Sequence, residues 1–446
     1  MNKTNYGKAN NVKVLPYKIT LKKDGIPLSD KKSSPGVVNQ RSCPYYGARW
    51  ILAPIKNTLH IIHSPVGCAF YGQNVRKKRY VIASTDMQIE DVVYGGEKKL
   101  YNTIIEAHKE LGGDAVFVYI TCVPALIGDN IESICKDAEE ILRVPIIPII
   151  CPGFCGYHQS KGHEIAMKAL FRLIKEGEYK KRFKDKLTVN IIGEYDICNE
   201  TKVIKDLLNK LGIEVIATFT GDCTIEDIKN SKNAKLNLVH CRRTGKYIAD
   251  YMEEKYGIPQ LKVSFIGLSN TQKSIMEIAK FFGIEDRGRE VIKEEFEKIK
   301  DELLFYMEKL KGKRVGIFMG ASKIGMLTSA FKDLDMEIVS VGSQFGSLED
   351  YLDAYINVDD NTILVDDASK IDLELIFKHK KPDIFVGGTK EKYMAVKFGI
   401  PFLSFPQDFY PFTGFIGFLN LAREIYKAIY HPIWKMIEFK IELSQE

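Results

Sequence analysis

The chain has 446 residues, of which 45% are hydrophobic and 27% charged, proportions typical of a globular protein with roughly two to four domains. Its nine cysteines include no CxxC pair, which argues against a zinc ribbon or a thioredoxin-like site, and most are expected to be reduced. The net charge of +6 is dispersed, and neither a membrane-length apolar run nor a secretory leader pattern occurs, so a cytoplasmic protein without nucleic-acid or membrane partners is expected.

The N-terminal 36 residues are polar, rich in lysine and without clear periodicity. They predict a basic arm, residues 1–36, that lies on a surface or on a partner. The compact fold is expected to begin near Gly36.

A first α/β domain is predicted over residues 37–186. The β-rich run 115–121 is followed by a helical pattern at 129–142, a strand at 144–150 and a helix near Ser160. Strand–helix–strand units of this length predict a parallel sheet with right-handed crossovers.

A second and a third domain of the same kind are predicted over residues 187–312 and 313–446. In the second, strands are expected at 187–193, 213–219 and 235–240, helices at 200–211, 224–230 and 244–256, and a charged helical connector at 269–312. In the third, strands are expected at 314–319, 336–341, 383–387 and 401–405, with an amphipathic helix at 415–438. The fold class is therefore α/β, with three doubly wound, Rossmann-like parallel-sheet domains.

Three cysteines, Cys43, Cys68 and Cys122, are each predicted to lie where a loop leaves a strand. Thiolates are the main ligands of iron–sulfur clusters, and neighbouring glycine and proline residues allow backbone amides to approach the sulfides. Three thiolates form an incomplete set, so a second chain is expected to supply the rest. The alternative is three inert thiols.

A fourth cysteine, Cys241, ends an apolar run and precedes Arg242 and Arg243. One thiolate beside two guanidinium groups is suited to holding one corner of an anionic metal cluster. The alternative is a core cysteine at the end of a strand.

Gln159 and His163 are four residues apart at a predicted helix start, which places both on one helix face. A neutral imidazole there is able to donate a hydrogen bond or a proton to a bound cluster, and the alternative is a surface histidine. Lys390 follows a predicted strand and suits a carboxylate-rich ligand, the alternative being a solvated lysine. No phosphate-loop pattern supports nucleotide binding.

From about residue 36 to 438, the chain resembles the α-type subunits of nitrogenase component 1, and in role most closely their assembly-scaffold relatives of the NifE and VnfE type. The segments that carry the resemblance are CPYYGAR (43–49), HSPVGCAFY (63–71), STD (84–86), GGEKKL (95–100), TCVPALIGDNIES (121–133), CPGFCGYHQSKGH (151–163) and HCRRTGKYIADYMEEKYGIP (240–259).

The resemblance implies that Cys43, Cys68 and Cys122 bind a four-iron or P-cluster-like cluster at the interface with a homologous β-type subunit, in an α2β2 assembly. It implies that Cys241 binds one end of a large iron–sulfur cofactor or its precursor, in a central cavity between the domains. Residues expected to contact that cofactor or an accompanying homocitrate are Arg76, Gln159, His163, Lys323 and Lys390.

The chain departs from the family's catalytic subunits in two segments. Residues 320–323 (GASK), after the strand 314–319, carry Lys323 where those subunits commonly place an arginine slightly further on, and the second departure follows the final strand. Those subunits carry a metal-ligating histidine after the final strand, whereas residues 401–410 (PFLSFPQDFY) contain none. A single anchor at Cys241 suits a scaffold that receives an immature cluster from a donor protein, matures it with electrons from the nitrogenase iron protein and releases it to an acceptor protein.

Two alternatives remain open. Segments 281–292 and 411–424 resemble α-subunits of alternative nitrogenases and of nitrogenase-like reductases, which implies either an alternative-type scaffold or a reductase. In the reductase, a catalytic α-subunit, His163 is expected to donate protons to the substrate. The last alternative is an α/β protein that has kept the fold without binding a cofactor.

Overall fold

The structure, a computed structural model, describes residues 12–15, 18–28, 42–73, 82–155, 159–344, 346–405 and 409–434. The chain divides into two compact units. The first, called here the cysteine unit, is Arg41–Lys262, and the second, the terminal unit, combines Met1–Gln40 with Val263–Glu446. Within the described residues, no helix combines the length and the apolarity needed to cross a membrane.

Strands and helices alternate along most of the chain. The strands are β1 (Val14–Leu15), β2 (Ile19–Leu21), β3 (Ile26–Pro27), β4 (Thr58–His63), β5 (Ile82–Ser84), β6 (Ala115–Ile120), β7 (Ile146–Ile150), β8 (Leu187–Glu194), β9 (Ile213–Thr220), β10 (Leu236–Val239), β11 (Gln260–Lys262), β12 (Arg314–Gly320), β13 (Glu337–Gln344), β14 (Ile363–Asp366), β15 (Ile384–Gly387) and β16 (Phe402–Ser404). The helices are α1 (Pro44–Leu52), α2 (Val66–Gln73), α3 (Ile89–Tyr94), α4 (Glu97–Leu111), α5 (Cys122–Ile127), α6 (Ile131–Leu142), α7 (Gln159–Ala169), α8 (Phe171–Glu176), α9 (Glu200–Lys210), α10 (Ile225–Asn230), α11 (Arg242–Tyr256), α12 (Leu268–Phe282), α13 (Glu285–Glu297), α14 (Lys300–Leu310), α15 (Ala321–Asp333), α16 (Leu348–Tyr355), α17 (Lys370–Lys380), α18 (Thr389–Lys397) and α19 (Gly414–Ile429).

The first sheet of the cysteine unit has the strand order β5–β4–β6–β7, and all neighbouring strands are parallel. Every residue of β4 and β6 is buried. Phe117 and Tyr119 enter one apolar cluster, whereas Val116 and Val118, on the opposite face of the same strand, enter another. The sheet is therefore covered on both faces, which is the usual environment of a parallel sheet.

The second sheet of the cysteine unit has the order β11–β10–β8–β9 and is also parallel throughout. Asn190 of β8 lies opposite Asn237 of β10, and its Nδ2 donates a hydrogen bond of 2.9 Å to Oδ1 of Asn237. The same Nδ2 donates to the Ser231 carbonyl, also at 2.9 Å. Because a buried amide without a partner is costly, this pairing favours the observed register of the two central strands.

Helices α1 and α7 cross with their backbones in direct contact. A Cβ atom at Gly162 would lie 1.8 Å from the Pro44 carbonyl oxygen, and one at Gly47 would lie 2.0 Å from the Gln159 carbonyl oxygen. Only glycine allows so close an approach at both positions. The crossing therefore holds the N-terminus of α1, where Cys43 lies, beside the start of α7.

The terminal unit contains a six-stranded sheet of order β16–β15–β12–β13–β14–β2. All neighbours are parallel except β14 and β2, where Ile19–Leu21 pairs antiparallel with Ile363–Val365. β12 and β15 are adjacent, with Phe318 opposite Gly387 near their carboxyl ends. The helices that follow these two strands, α15 and α18, therefore begin at neighbouring points of one sheet edge.

The predicted fold class is confirmed, because the large sheets are parallel and joined by helical crossovers. The expectation that the compact fold begins near Gly36 is wrong, since β2 is an edge strand of the terminal unit. Lysines of the predicted basic arm make tertiary contacts there: Lys18 Nζ lies 3.3 Å from Asp372, and Lys22 Nζ donates to the Val358 carbonyl at 2.6 Å. Most of the predicted arm, 1–36, lies outside the described residues.

Several element bounds also differ from the predictions. The strand predicted before Cys68 was given no bounds and is β4. Strands β1, β2, β3, β5, β11 and β14 were not predicted from the sequence, and α19 ends at Ile429 rather than continuing to 438. The cause at the C-terminus is visible in the sequence, because Pro432 follows the helix and cannot continue it. Residues 435–438 lie outside the described residues, and the predicted domain limits 37–186, 187–312 and 313–446 stay predictions.

Candidate functional site

Three of the four selected cysteines follow parallel strands at the carboxyl edge of a sheet. Cys68 is in the first turn of α2 after β4, Cys122 opens α5 after β6, and Cys241 is the N-cap of α11 after β10. Ligands collect at this edge in α/β sheets. Cys43 is the N-cap of α1 and precedes β4, because Pro44 starts the helix at its first position. Residues 29–41, which come before it, lie outside the described residues, so its place after a strand stays a prediction.

Cys43, Cys68 and Cys122 form a group around the turn that follows β7. The Gly153 N–H donates a hydrogen bond of 3.0 Å to Cys122 Sγ. A Cβ atom at Gly153 would lie 3.1 Å from the same sulfur and 4.0 Å from the Cβ of Cys43. The missing side chain therefore leaves space between the two cysteines and lets a backbone amide reach the sulfur, as in iron–sulfur sites.

Thiols in this group affect one another's ionisation. Burial raises the pKa of Cys43, hydrogen bonds from the Tyr46 and Tyr45 backbone amides oppose the rise, and the thiolates of Cys68 and Cys122 add to it. The thiol form of Cys43 is therefore favoured in the absence of a cation. Because a metal binds the thiolate, loading this group should release protons.

Cys151 and Cys155, a pair that the sequence analysis did not assign to a site, belong to the same neighbourhood. Burial raises the pKa of Cys151, and the nearby thiolates of Cys43, Cys155, Cys122 and Cys68 raise it further. Cys151 is fully buried in the core, whereas Cys155 is exposed and the other three are half-buried. The signal that would have found them is the position of residues 151–155 directly after β7, at the same sheet edge.

The surface beside the three cysteines is unusually apolar. Val66, Phe70 and Tyr71 of α2 are exposed, Phe70 by 68%, and Leu126 of α5 is exposed by 73%. Phe154, next to Gly153, is exposed by 59%. Large apolar side chains grouped around a partly exposed site are typical of a surface that another protein covers.

No three His, Cys, Asp or Glu side chains among the described residues are arranged to hold a single metal ion. The donor chemistry of the three cysteines instead matches a multi-iron cluster, in which each thiolate binds its own iron.

His63, the last residue of β4, connects segments that are distant in the sequence through its side-chain contacts. Its Nε2 lies 3.0 Å from Asp129 Oδ2, and its Nδ1 lies 3.1 Å from Thr85 Oγ1. Asp129 also accepts a hydrogen bond of 3.1 Å from the Gly96 amide. Burial lowers the pKa of His63 although Asp129 opposes the change, so this buried network is a structural support beneath the sheet edge.

Cys241 occupies a closed position, with 4% of its surface exposed. Its backbone carbonyl accepts from the Gly245 amide at 2.8 Å, within the first turn of α11. Gly193, in β8, has a φ of +85° and lies where the pairing of β8 with β9 is shifted by one residue. A Cβ atom at Gly193 would lie 2.6 Å from the Cβ of Cys241 and 2.7 Å from its backbone nitrogen.

This β-bulge therefore brings the backbone of β8 directly against Cys241. Bulges of this kind commonly occur beside functional sites, where they redirect a side chain.

Buried acids surround the same sheet edge. His240, next to Cys241, lies 3.1 Å from Glu194 Oε2, and both side chains are at most 7% exposed. Glu194 Oε1 accepts from the amides of Tyr195 and Asp196 at 2.8 and 3.0 Å. Burial, together with the charge of Glu194, raises the pKa of Glu200 to about 7.

Gln159 and His163 both lie on α7, four residues apart, as the sequence predicts. Gln159 is half-buried and His163 is 9% exposed, so the surface-histidine alternative is wrong. α7 packs against both α1 and α11, the helices capped by Cys43 and Cys241. Arg76 lies outside the described residues.

The two selected lysines belong to the terminal unit. Lys323 is half-buried in the first turn of α15, and Lys390 is exposed in the first turn of α18. Cations are unfavourable at helix N-termini. Both positions follow the adjacent strands β12 and β15 at their carboxyl ends, which is an arrangement suited to an anionic ligand.

Comparison with known proteins identifies the family. Residues 43–430 match the family described as nitrogenase component 1 type oxidoreductase. The chain therefore belongs to the nitrogenase component 1 family, and the resemblance inferred from its motifs is confirmed.

Similar proteins include both scaffolds and catalytic subunits. The chain is 41% identical over 426 residues to the nitrogenase iron-molybdenum cofactor biosynthesis protein NifE of Methanococcus maripaludis, covering 93% of this chain and 88% of that protein. It is 39% identical over 455 residues to the nitrogenase molybdenum-iron protein alpha chain of Methanothermobacter marburgensis, covering 96% of each. A solved structure described as nitrogenase Cp1 at pH 5 matches with a TM-score of 0.86 and 32% identity, covering 94% of this chain and 95% of that one.

Proposed function

We propose that this protein is the α-type subunit of a scaffold on which an iron–sulfur cofactor precursor is matured before transfer. The observation that carries the proposal is the single anchor: Cys241 is a buried thiol, and segment 401–410, where catalytic subunits of the family carry a second ligand, contains no histidine. A cofactor precursor that is bound through one strong ligand is released more easily than one bound at both ends. This precursor is called the cargo below. The similarity to NifE proteins supports this assignment.

A second element of the proposal is an electron-transfer cluster on Cys43, Cys68 and Cys122. The space at Gly153 and its amide, directed at Cys122 Sγ, fit such a group. A homologous β-type subunit would cover the exposed Phe70 and complete the ligand set, giving an α2β2 assembly. The bound cluster would supply electrons received from the nitrogenase iron protein.

The cargo would bind at Cys241, where the N-terminus of α11 and the following Arg242 and Arg243 favour an anionic group. His163, Gln159 and Arg76 would contact its sulfides. In the terminal unit, Lys323 and Lys390 suit the carboxylates of an organic acid such as homocitrate. The donor and acceptor of the cargo would be separate proteins.

A second candidate function is the catalytic α-subunit of a nitrogenase-like reductase. Its support is the near-equal similarity to molybdenum-iron protein alpha chains, at 39% identity. In that function the buried His163 would hold the proton that is passed to the substrate.

The first experiment replaces the cargo anchor. In Cys241→Ala the large cluster should fail to load while the interface cluster persists, because the two thiol sites are separate in the chain. Iron content and electron paramagnetic resonance spectra of the purified complex measure both. Cys223→Ala, which removes another buried thiol of the same unit, is the matched control and should load normally. Unchanged iron and spectra in Cys241→Ala would remove the central claim.

The second experiment separates scaffold from reductase. The purified complex is supplied with its iron protein, MgATP and reductant, and acetylene and proton reduction are measured. Transfer of cluster to a cofactor-free acceptor protein is measured in parallel. Efficient transfer with negligible turnover supports the scaffold, whereas rapid multi-electron turnover supports the reductase.

A further inference from the structure

Arg49 is a buried cation without a carboxylate beside it. Its side chain is 1% exposed, and within the described part of the chain it forms no ion pair, while its Nε and Nη1 atoms have no hydrogen-bond partner. The guanidinium carbon lies 5.6 Å from the centre of the Tyr119 ring. A buried charge that lacks a counter-charge destabilises the folded state, so its presence requires an explanation.

The polar groups around Arg49 are neutral. Burial raises the pKa of Tyr119, whereas burial and the charge of Arg49 lower that of His60. His60 Nδ1 is 2.9 Å from the Tyr119 hydroxyl, and its Nε2 is 3.1 Å from Thr58 Oγ1. None of these groups carries the negative charge that would compensate the guanidinium.

Tyr45, on the same helix as Arg49, belongs to the buried apolar cluster against which Cys43 and Cys68 pack. Cys43 is the N-cap of α1, and Arg49 lies six residues further along the same helix, about 9 Å away at 1.5 Å per residue. A Cβ atom at Gly72, in the same helix as Cys68, would lie 2.0 Å from the Tyr45 hydroxyl. Negative charge at the cysteines therefore faces Arg49 through buried protein, where charges are weakly screened.

We propose that Arg49 is the counter-charge of the anionic cluster held by Cys43, Cys68 and Cys122. This inference rests on the proposed function. Loading the cluster supplies the negative charge that Arg49 lacks. One-electron reduction of the cluster by an external donor adds one further negative charge, so the buried guanidinium favours the reduced state.

The test compares Arg49→Gln, which removes the charge, with Arg49→Lys, which keeps it. The complex is loaded with iron and sulfide, titrated with dithionite in the presence of redox mediators, and followed by electron paramagnetic resonance. At the potential where the wild type is half reduced, the ratio of reduced to oxidised cluster should fall at least fivefold in Arg49→Gln and stay within twofold in Arg49→Lys. Arg172→Gln, a half-exposed charge of the same unit, is the control and should also stay within twofold.

A structural role alone would give a different result. If Arg49→Gln loads the full amount of iron and its ratio of reduced to oxidised cluster equals that of the wild type, the counter-charge proposal is overturned. Arg49→Met, which fills the same volume without polar atoms, provides the measurement if the glutamine variant does not fold. Loading should also raise the melting temperature less in either neutral variant than in the wild type. Absence of iron from the wild type would instead overturn the proposed function. Cys68→Ser, which removes one proposed ligand, is the reference for a chain that does not hold the cluster.

Discussion

The two cysteine regions of the cysteine unit share one construction and differ in access. Cys68 and Cys122 in the first region and Cys241 in the second lie where helices begin at the carboxyl edge of a parallel sheet. Cys43, Cys68 and Cys122 are half-buried beside exposed apolar side chains, whereas Cys241 is 4% exposed against the backbone of β8. The same strand-then-helix geometry thus gives an open site, where we propose the interface cluster, and a closed site, where we propose the cofactor precursor.

Two glycines test this difference most strongly. Gly193→Ala should destabilise the cluster-free chain by about 3 kcal/mol or more, because the residue has a φ of +85° and its new methyl group would meet the Cys241 backbone. Gly153→Ala should cost about 1 kcal/mol, because its nearest contact is the Cys122 sulfur at 3.1 Å. Urea unfolding of both variants measures the contrast.

Gly320→Ala is the control for these substitutions, since a Cβ atom there meets nothing within 4 Å. It should change the free energy of unfolding by less than about 0.5 kcal/mol. Equal losses at Gly193 and Gly153 would show that the closed site is no more tightly built than the open one.

The acids behind the closed site predict a pH dependence. Burial and Glu194 raise the pKa of Glu200 from 4.5 to about 7, so the folded state binds more protons than the unfolded state between these pH values. The free energy of unfolding should therefore fall as the pH rises from 4.5 to 7, by at most roughly 3 kcal/mol. Glu200→Gln should abolish this loss and be the more stable protein at pH 8.

The measurement is urea unfolding at several pH values, with Glu214→Gln as the control. Glu214 is a half-exposed carboxylate of β9 and is paired with Lys186. Its replacement should preserve the slope of the free energy of unfolding against pH. An unchanged slope in Glu200→Gln would mean that another group causes the pH dependence.

Local patterns in the sequence predicted much of the cysteine unit. The apolar run before Cys122 and the one before Cys241 identified β6 and β10, because buried parallel strands are continuous apolar segments. The edge strand β2 was missed because its partner, β14, lies more than 300 residues later in the chain. No local pattern carries that pairing.

The burial of Arg49 was also missed, although a signal was present. Tyr45, Ala48 and Leu52 are apolar at helical spacing around it, so Arg49 lies on the buried stripe of α1. What the sequence does not reveal is that no carboxylate of the described residues meets it there. The closed position of Cys241 likewise depends on the bulge at Gly193, which arises only when β8 and β9 pair.

The mildest test leaves the fold unchanged and measures access to the thiols. In the native, cluster-free chain, iodoacetamide should modify the exposed Cys155 first and the half-buried Cys43, Cys68 and Cys122 more slowly. Cys241 should react at least tenfold more slowly than Cys155, because access rather than thiol chemistry is limiting. Peptide mass spectrometry follows each site, the other buried cysteines serve as internal controls, and in urea all should react at similar rates. Rapid native labelling of Cys241 would mean that its site is open to solvent, and the contrast between the two cysteine regions would fail.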